Sequence, residues 1–373
     1  MVANWDSNEG YAWWLMESFW VALAERYRDT LRPIVAYPSI SEIPAAVAAS
    51  PLEVELADFS RFGFGTVFRQ LRYLRSRSVR ALYLSDQPNW HWAYLLFRLA
   101  GVRTIIVHDH TPGVRVPPSG LKRVLKRVLA RLPWVNADGY IGATEYIRSR
   151  LVQVTCLPEK KCFSAPNGIP AVAPPQVSIH DRIGIPEGRS VIVTAARANH
   201  YKGGLFALQA FVHLREETPD LDWHYVFCGD GPNLEAFRAG AREHGLEDRV
   251  SFPGRVEGVT ELFESCTAAF HPSRGEVGYS LSILEYMRGG LPVLVPDNPS
   301  VCEATDDGET GLVYAEGDAE AAAAALARLL CDPAATERMG AAAREAVHRK
   351  YLLADTHRAL IEAVDRVMPR TTT

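Results

Sequence analysis

No apolar run in these 373 residues reaches the roughly 18 needed to cross a bilayer, which argues against a membrane-spanning helix. The opening, MVANWDSNEG, is acidic and has no signal-peptide pattern, so a cytoplasmic protein is expected. Cysteine is scarce. The six present form no CxxC pair and have no histidine at zinc-ligand spacing, which argues against a disulfide framework or a structural zinc site and implies reduced, mostly buried thiols. Nor does either charge dominate, at a formal net charge of −4.

That near-neutral total conceals a division. Residues 1–170 hold 21 Lys/Arg against 14 Asp/Glu, and the remainder holds 19 against 30, so the two halves present surfaces of opposite sign. With 47% hydrophobic and 23% charged residues the chain is globular in composition, and its length suits two domains. Short apolar runs at 2–5, 34–37, 81–85, 104–108 and 140–142 alternate with helical stretches at 11–28, 67–76, 88–99, 120–131 and 144–153. The proline-rich stretch 169–189 reads as an interdomain connection. Strands resume at 191–195, 224–228, 268–271, 292–295 and 311–314, and three amphipathic helices fill 319–368. The expected architecture is α/β: a Rossmann-like domain over 1–168, a linker over 169–189, a second Rossmann-like domain over 190–350, and a C-terminal helix in 351–373 packing back on the first domain.

Three segments carry the chemistry. The first, VIVTAARANHYKGG at 191–204, runs from a buried strand into a loop holding Arg197 and Lys202. Ligands of open parallel sheets bind at the carboxyl ends of the strands, so the guanidinium fork and the compact ammonium stand where a diphosphate would bind; two solvated loop cations would show the same spacing. The second is the turn Gly229-Asp230-Gly231-Pro232, a weak signal by itself. The third is FHPSRGEVGYSLSILEYMRGGLPVLV at 270–295. There Ser280, Leu281 and Ser282 open a helix whose first N–H groups favour an anion, Glu285 lies within that helix, and Glu276 lies on the loop before it.

Taken together with Gly254, Pro272-Ser273, Gly290-Leu291-Pro292-Val293, Gly308 and Gly311, these segments resemble family 4 of the retaining glycosyltransferases. The resemblance spans most of the chain and is strongest over 190–315. It implies a GT-B fold, with two Rossmann-like domains facing a central cleft, and a nucleotide diphosphate sugar, UDP- or GDP-linked, as donor. It implies that Arg197 and Lys202 grip the diphosphate, that Glu285 binds ribose, and that Glu276 lies at the transferred sugar. Gly229, Gly254, Val256, Ser280, Leu281 and Ser282 complete the expected donor site. The implied stereochemistry is retention, with the departing phosphate taking the acceptor's proton.

The sequence departs from the family at three places. Glu276 and Glu285 lie one residue too far apart, so either a bulge restores Glu276 or Val277 takes its position. Asp297-Asn298-Pro299-Ser300 replaces the family's Gly-Gly turn, and Asn167-Gly168-Ile169-Pro170 lacks the aspartate usual at the domain junction.

The first half is the expected acceptor domain. Gly10, in the loop after the first strand, could bring backbone close to a phosphate or acceptor. His108, at the end of strand 104–108, matches the family's histidine facing the transferred sugar, with His110 the less favoured occupant. No Asp-x-Asp triplet of the kind that holds a divalent metal under a nucleotide sugar is recognised, so neither metal nor cofactor is expected. The stretch 121–132 puts its apolar residues on one face and five cations on the other, and Arg69, Arg72, Arg75, Arg77 and Arg80 add charge nearby. Lys122 and Arg123 oppose the helix dipole, so the reading is peripheral contact with anionic lipid at the inner membrane face, against an ordinary solvated surface. The expected partners are the donor and a glycan, lipid or small-molecule acceptor, with no nucleic acid. A GT-B epimerase and a non-catalytic sugar-nucleotide-binding subunit are the competing functions.

Overall fold

The computed structural model describes residues 1–8, 13–172 and 174–369. By internal contacts the chain divides into two units, the first comprising Met1–Thr111, Arg115–Asn167 and Ala354–Thr373, the second Pro112–Val114 and Gly168–Leu353.

In the first unit, β1 (Ile34–Tyr37) pairs in parallel with β2 (Glu53–Leu56), while β3 (Ala81–Ser85), β4 (Thr104–Asp109), β5 (Gly139–Gly142) and β6 (Cys162–Ser164) form a four-stranded parallel sheet in that order. The expected strand at 2–5 reduces to Val2, which bridges both Ala36 and Leu84 and so joins the two sheets. Helix Leu353–Val367 belongs, from Ala354 on, to this unit. Its Asp365 accepts hydrogen bonds from Arg26 at 2.9 Å and from Tyr27, and Thr356 donates to the Pro166 carbonyl at 2.7 Å.

The second unit has one parallel sheet built from β7 (Ser190–Ala195), β8 (Trp223–Cys228), β9 (Val250–Gly254), β10 (Ala268–Phe270), β11 (Val293–Pro296) and β12 (Gly311–Tyr314), in the spatial order β9-β8-β7-β10-β11-β12. That is the doubly wound order 3-2-1-4-5-6, in which chain direction across the sheet reverses between β7 and β10. Both faces are covered, as a continuous apolar strand demands. Along β7, Ile192 packs with Phe211, Tyr225 and Phe270 on one face, while Val191, Val193 and Ala195 pack with Tyr286 and Met287 on the other.

Residues 169–189, expected as a connection, lie inside this second unit. Ile179 of helix Ile179–Ile183 is fully buried, and Ile169 exchanges backbone bonds of 2.9 and 2.8 Å with Tyr351 and Leu353. Three strands escaped the sequence reading. β2 carries two glutamates, β6 is three residues long, and β9 ends in Pro253-Gly254, a pairing that reads as a turn but is tolerated because β9 is an edge strand. Not every thiol is buried: Cys331 is exposed.

Candidate active site

In a doubly wound sheet the loops leaving the two strands at the reversal diverge to opposite faces and open a crevice at the strands' carboxyl ends. Here those loops follow β7 and β10, and they carry Arg197 and Lys202 on one side and Glu276 and Ser280 on the other. Glycines allow the close approach this requires. Gly203 has φ +76°, and a Cβ there would lie 2.1 Å from the Pro272 carbonyl oxygen, so no other residue lets the two loops meet. Gly229, in the turn after β8, approaches Ala196 equally closely, with 1.8 Å from a built Cβ to its carbonyl oxygen.

The loops converge on Glu276. Its buried carboxylate accepts from the Lys202 ammonium, and the same oxygen lies 3.1 Å from His271 Nε2, which in turn lies 3.3 Å from Ser280 Oγ. Burial pushes the Glu276 carboxyl up, but Lys202 and His271 outweigh it and hold the pKa at about 2. His271 is driven down by its own burial, with Glu276 opposing. Of the two candidates for the first-glutamate position, Glu276 is the one whose side chain meets Lys202. The backbone holding it is supported by the segment that replaces the Gly-Gly turn. Gly278 N–H donates to the Ser300 carbonyl at 2.8 Å, Ser300 Oγ donates to Asn298 Oδ1 at 2.7 Å, and Asn298 Nδ2 donates to the Arg274 carbonyl at 3.2 Å.

Ser280 caps helix Leu281–Arg288 by accepting from Ile283 N–H at 3.3 Å. The N–H groups of Leu281 and Ser282 precede the first intrahelical bond and carry the positive end of the helix dipole. Tyr286, one turn on, bonds both backbone groups of Ala195, fixing the helix to the end of β7. Glu285 is partly buried. Burial raises its carboxyl to about 7, against the pull of Arg288. Arg197 is exposed on the loop after β7. Gly254, at φ +79°, ends β9 and accepts from Gly229 N–H at 2.8 Å, and Val256 is half-buried against the core beneath.

In the first unit, His108 ends up fully buried in β4. Tyr83 bonds its Nδ1, its Nε2 has no hydrogen-bond partner among the described residues, and the His110 ring lies tilted against it with centroids 4.0 Å apart. Burial, with His110 adding to it, drives its pKa far below the ordinary histidine value. His108, the residue expected to face the transferred sugar, has no accessible surface in this conformation, and the His110 side chain keeps 13% exposure. Gly10 lies outside the described residues.

Two partners were missed in the sequence. His271 directly follows β10 as His108 nearly ends β4, and the same strand-end logic would have found it. Arg150, buried, sits 3.3 Å from both Asp109 oxygens and donates to Thr111 at 2.7 Å, a long-range pairing with no local signal. The absence of an Asp-x-Asp triplet also needs correction, since Asp220-Leu221-Asp222 has that spacing. It lies at the amino end of β8, opposite the ligand-binding edge, with Asp222 ion-paired to Arg189 at 2.8 Å. Among the described residues no three His, Cys, Asp or Glu gather in a way that could hold a metal ion.

The profile of the family described as "Glycosyl transferases group 1" matches residues 176–346. The chain is 26% identical over 312 residues to D-inositol 3-phosphate glycosyltransferase of Corynebacterium diphtheriae, spanning 79% of this chain and 71% of that one. In fold it is similar to a glycosyltransferase from Rickettsia africae, with TM-score 0.78 and 13% identity over 99% of this chain and 98% of the other. Similarly, Anabaena Alr3699/HepE, solved with UDP and glucose, aligns at TM-score 0.74 and 16% identity over 98% of both chains. The matched segment contains the β7 and β10 loops and their Lys202–Glu276 pair, so over residues 176–346 the chain is similar to the glycosyl transferases group 1, and over nearly its whole length its fold is the GT-B fold of solved glycosyltransferases.

Proposed function

We propose that this glycosyltransferase moves a sugar from a nucleoside diphosphate sugar to an acceptor hydroxyl, with retention at the anomeric carbon and without a metal ion. The observation that carries this reading is the meeting of Lys202 and Glu276 at the reversal point of the second sheet. An ammonium has three donors. One is taken by Glu276, which leaves two for the donor diphosphate. Arg197 supplies the second cation, and the N–H groups of Leu281 and Ser282 a third source of positive field. Such a fixed set of charges stabilises the negative charge developing on the leaving diphosphate, the task a metal performs elsewhere.

In this reading Glu285 accepts from the ribose diol and Glu276 contacts the transferred sugar, while Gly229, Gly254 and Val256 shape the base and ribose side. The departing phosphate takes the acceptor's proton, so no protein carboxylate acts as nucleophile. The Anabaena structure's UDP and glucose favour trying UDP-glucose first, with GDP-linked sugars next.

The test is turnover of purified protein against a donor and acceptor panel with and without chelator, with the product read by NMR before mutarotation. Diphosphate release that survives chelator and gives retained product is expected. Inverted product, or strict dependence on added Mg²⁺ or Mn²⁺, overturns the proposal.

A further inference from the structure

Helix Gly120–Leu129 of the first unit is folded inside out. Its apolar residues Leu121, Val124, Leu125 and Val128 follow the spacing of a core-facing strip, yet Leu121 is 83% exposed and the other three are more than half exposed. On the polar side Lys126 turns to the protein, while Lys122, Arg123 and Arg127 are exposed. Lys126 Nζ donates to the Val154 carbonyl at 3.0 Å, Ala130 is buried, and Asn136 Nδ2 clamps the carbonyls of Leu129 and Leu132 at 2.8 Å each. Lys122 and Lys126 run along one side of the apolar strip, Arg123 and Arg127 along the other.

A second exposed strip adjoins it. On helix Trp92–Leu99, Trp92, Leu95 and Leu99 are exposed, and Trp92 stacks on Phe64 of helix Phe64–Ser76 with centroids 5.1 Å apart. Arg98 ties this helix to the neighbouring segment through the carbonyls of Trp134, itself exposed, and Asn136, at 3.1 and 2.9 Å. Asn136 also holds the inside-out helix, so both helices are pinned to the same segment. Exposed Arg69, Arg72 and Arg75 follow Phe64 and Phe68 on the third helix.

We infer that this face docks on an anionic bilayer surface, the apolar strip entering the headgroup boundary and the flanking cations meeting lipid phosphate. Charge decides the occupant. An apolar strip bordered by cations on both sides, with Trp and Phe at its margin, fits the depth profile of a lipid interface. The first-turn cations Lys122 and Arg123 work against the helix dipole, and an external anionic surface offsets that cost.

Vesicle co-sedimentation of the full chain tests this, using phosphatidylcholine with and without phosphatidylglycerol at low and high salt. Binding confined to phosphatidylglycerol vesicles and weakened by salt is expected. Joint replacement of Lys122, Arg123 and Arg127 by Gln should weaken it by roughly fivefold per cation. Joint replacement of Leu121, Leu125 and Val128 by Ser should abolish it, with circular dichroism unchanged because these side chains have little packing to lose. No binding at low salt, or undiminished binding in both triple variants, overturns the inference. So does a concentration-dependent dimer that the Ser variant abolishes in a protein that ignores vesicles, which would assign the face to a second copy. Binding is read without donor or turnover, so its failure leaves the transferase proposal standing.

Discussion

Lys202 and Glu276 stabilise one another where water is scarce, and the ammonium keeps the Glu276 carboxyl ionised. Glu276, held at about 2 against an ordinary 4.5, contributes stability that is present above pH 4.5 and lost as pH falls towards 2. Lys202→Met should therefore cost roughly 3 kcal/mol in urea unfolding at neutral pH, because the remaining carboxylate is left uncompensated. It should also lower kcat/KM for the donor by roughly tenfold or more. Unchanged values on both counts would sink the clamp. Glu285 has the opposite sign. Raised from 4.5 to about 7, it favours the folded state below pH 4.5, and that contribution disappears as pH rises through 7. In its proposed role donor binding should run the other way, since the Glu285 carboxylate forms only above about 7. Donor KM should fall severalfold between about pH 6 and 8, and Glu285→Gln should flatten that dependence if the assignment holds. These residue types and their order were legible in the sequence, and so was the ambiguity of one residue in the glutamate spacing. The ion pair of Glu276 with Lys202 was not.

At the scale of elements, the site depends on two loops held closer than side chains allow. Gly203→Ala should combine the strain of φ +76° with a clash against Pro272, a loss of at least about 2 kcal/mol accompanied by raised donor KM. Gly184 provides the control. It has the same φ, at the end of helix Ile179–Ile183, but nothing within 4 Å of a built Cβ, so Gly184→Ala should cost only about 1 kcal/mol and leave kinetics unchanged. Equal losses in unfolding and kinetics for both variants would show that loop contact is unimportant. Strand existence was read well where both faces are buried and the run is continuously apolar, as in β7 and β8. It failed where an edge strand alternates with glutamate, or where Pro253 closes β9.

For the whole molecule, the last helix ties distant parts of the chain to the first unit. Gly139 admits Val367, a built Cβ lying 2.4 Å from its side chain, while Asp365 holds Arg26 and Tyr27. Truncation before Leu353 should remove Leu360, Ala363 and Val364 and expose the apolar surface they cover, lowering the melting temperature by several degrees or more. An unchanged melt would mean that the helix adds nothing to the unit. By itself the sequence determined the α/β alternation and the resemblance to group 1 glycosyltransferases, because burial of a parallel sheet and loop motifs leave short, local patterns. Tertiary structure alone decided which glutamate faces Lys202, that His108 is buried beneath His110, that Asp220 and Asp222 lie at the wrong end of their strand, and that an amphipathic helix turns its apolar side outward. Each depends on residues brought together across tens of positions, where a periodicity cannot say which face meets the core.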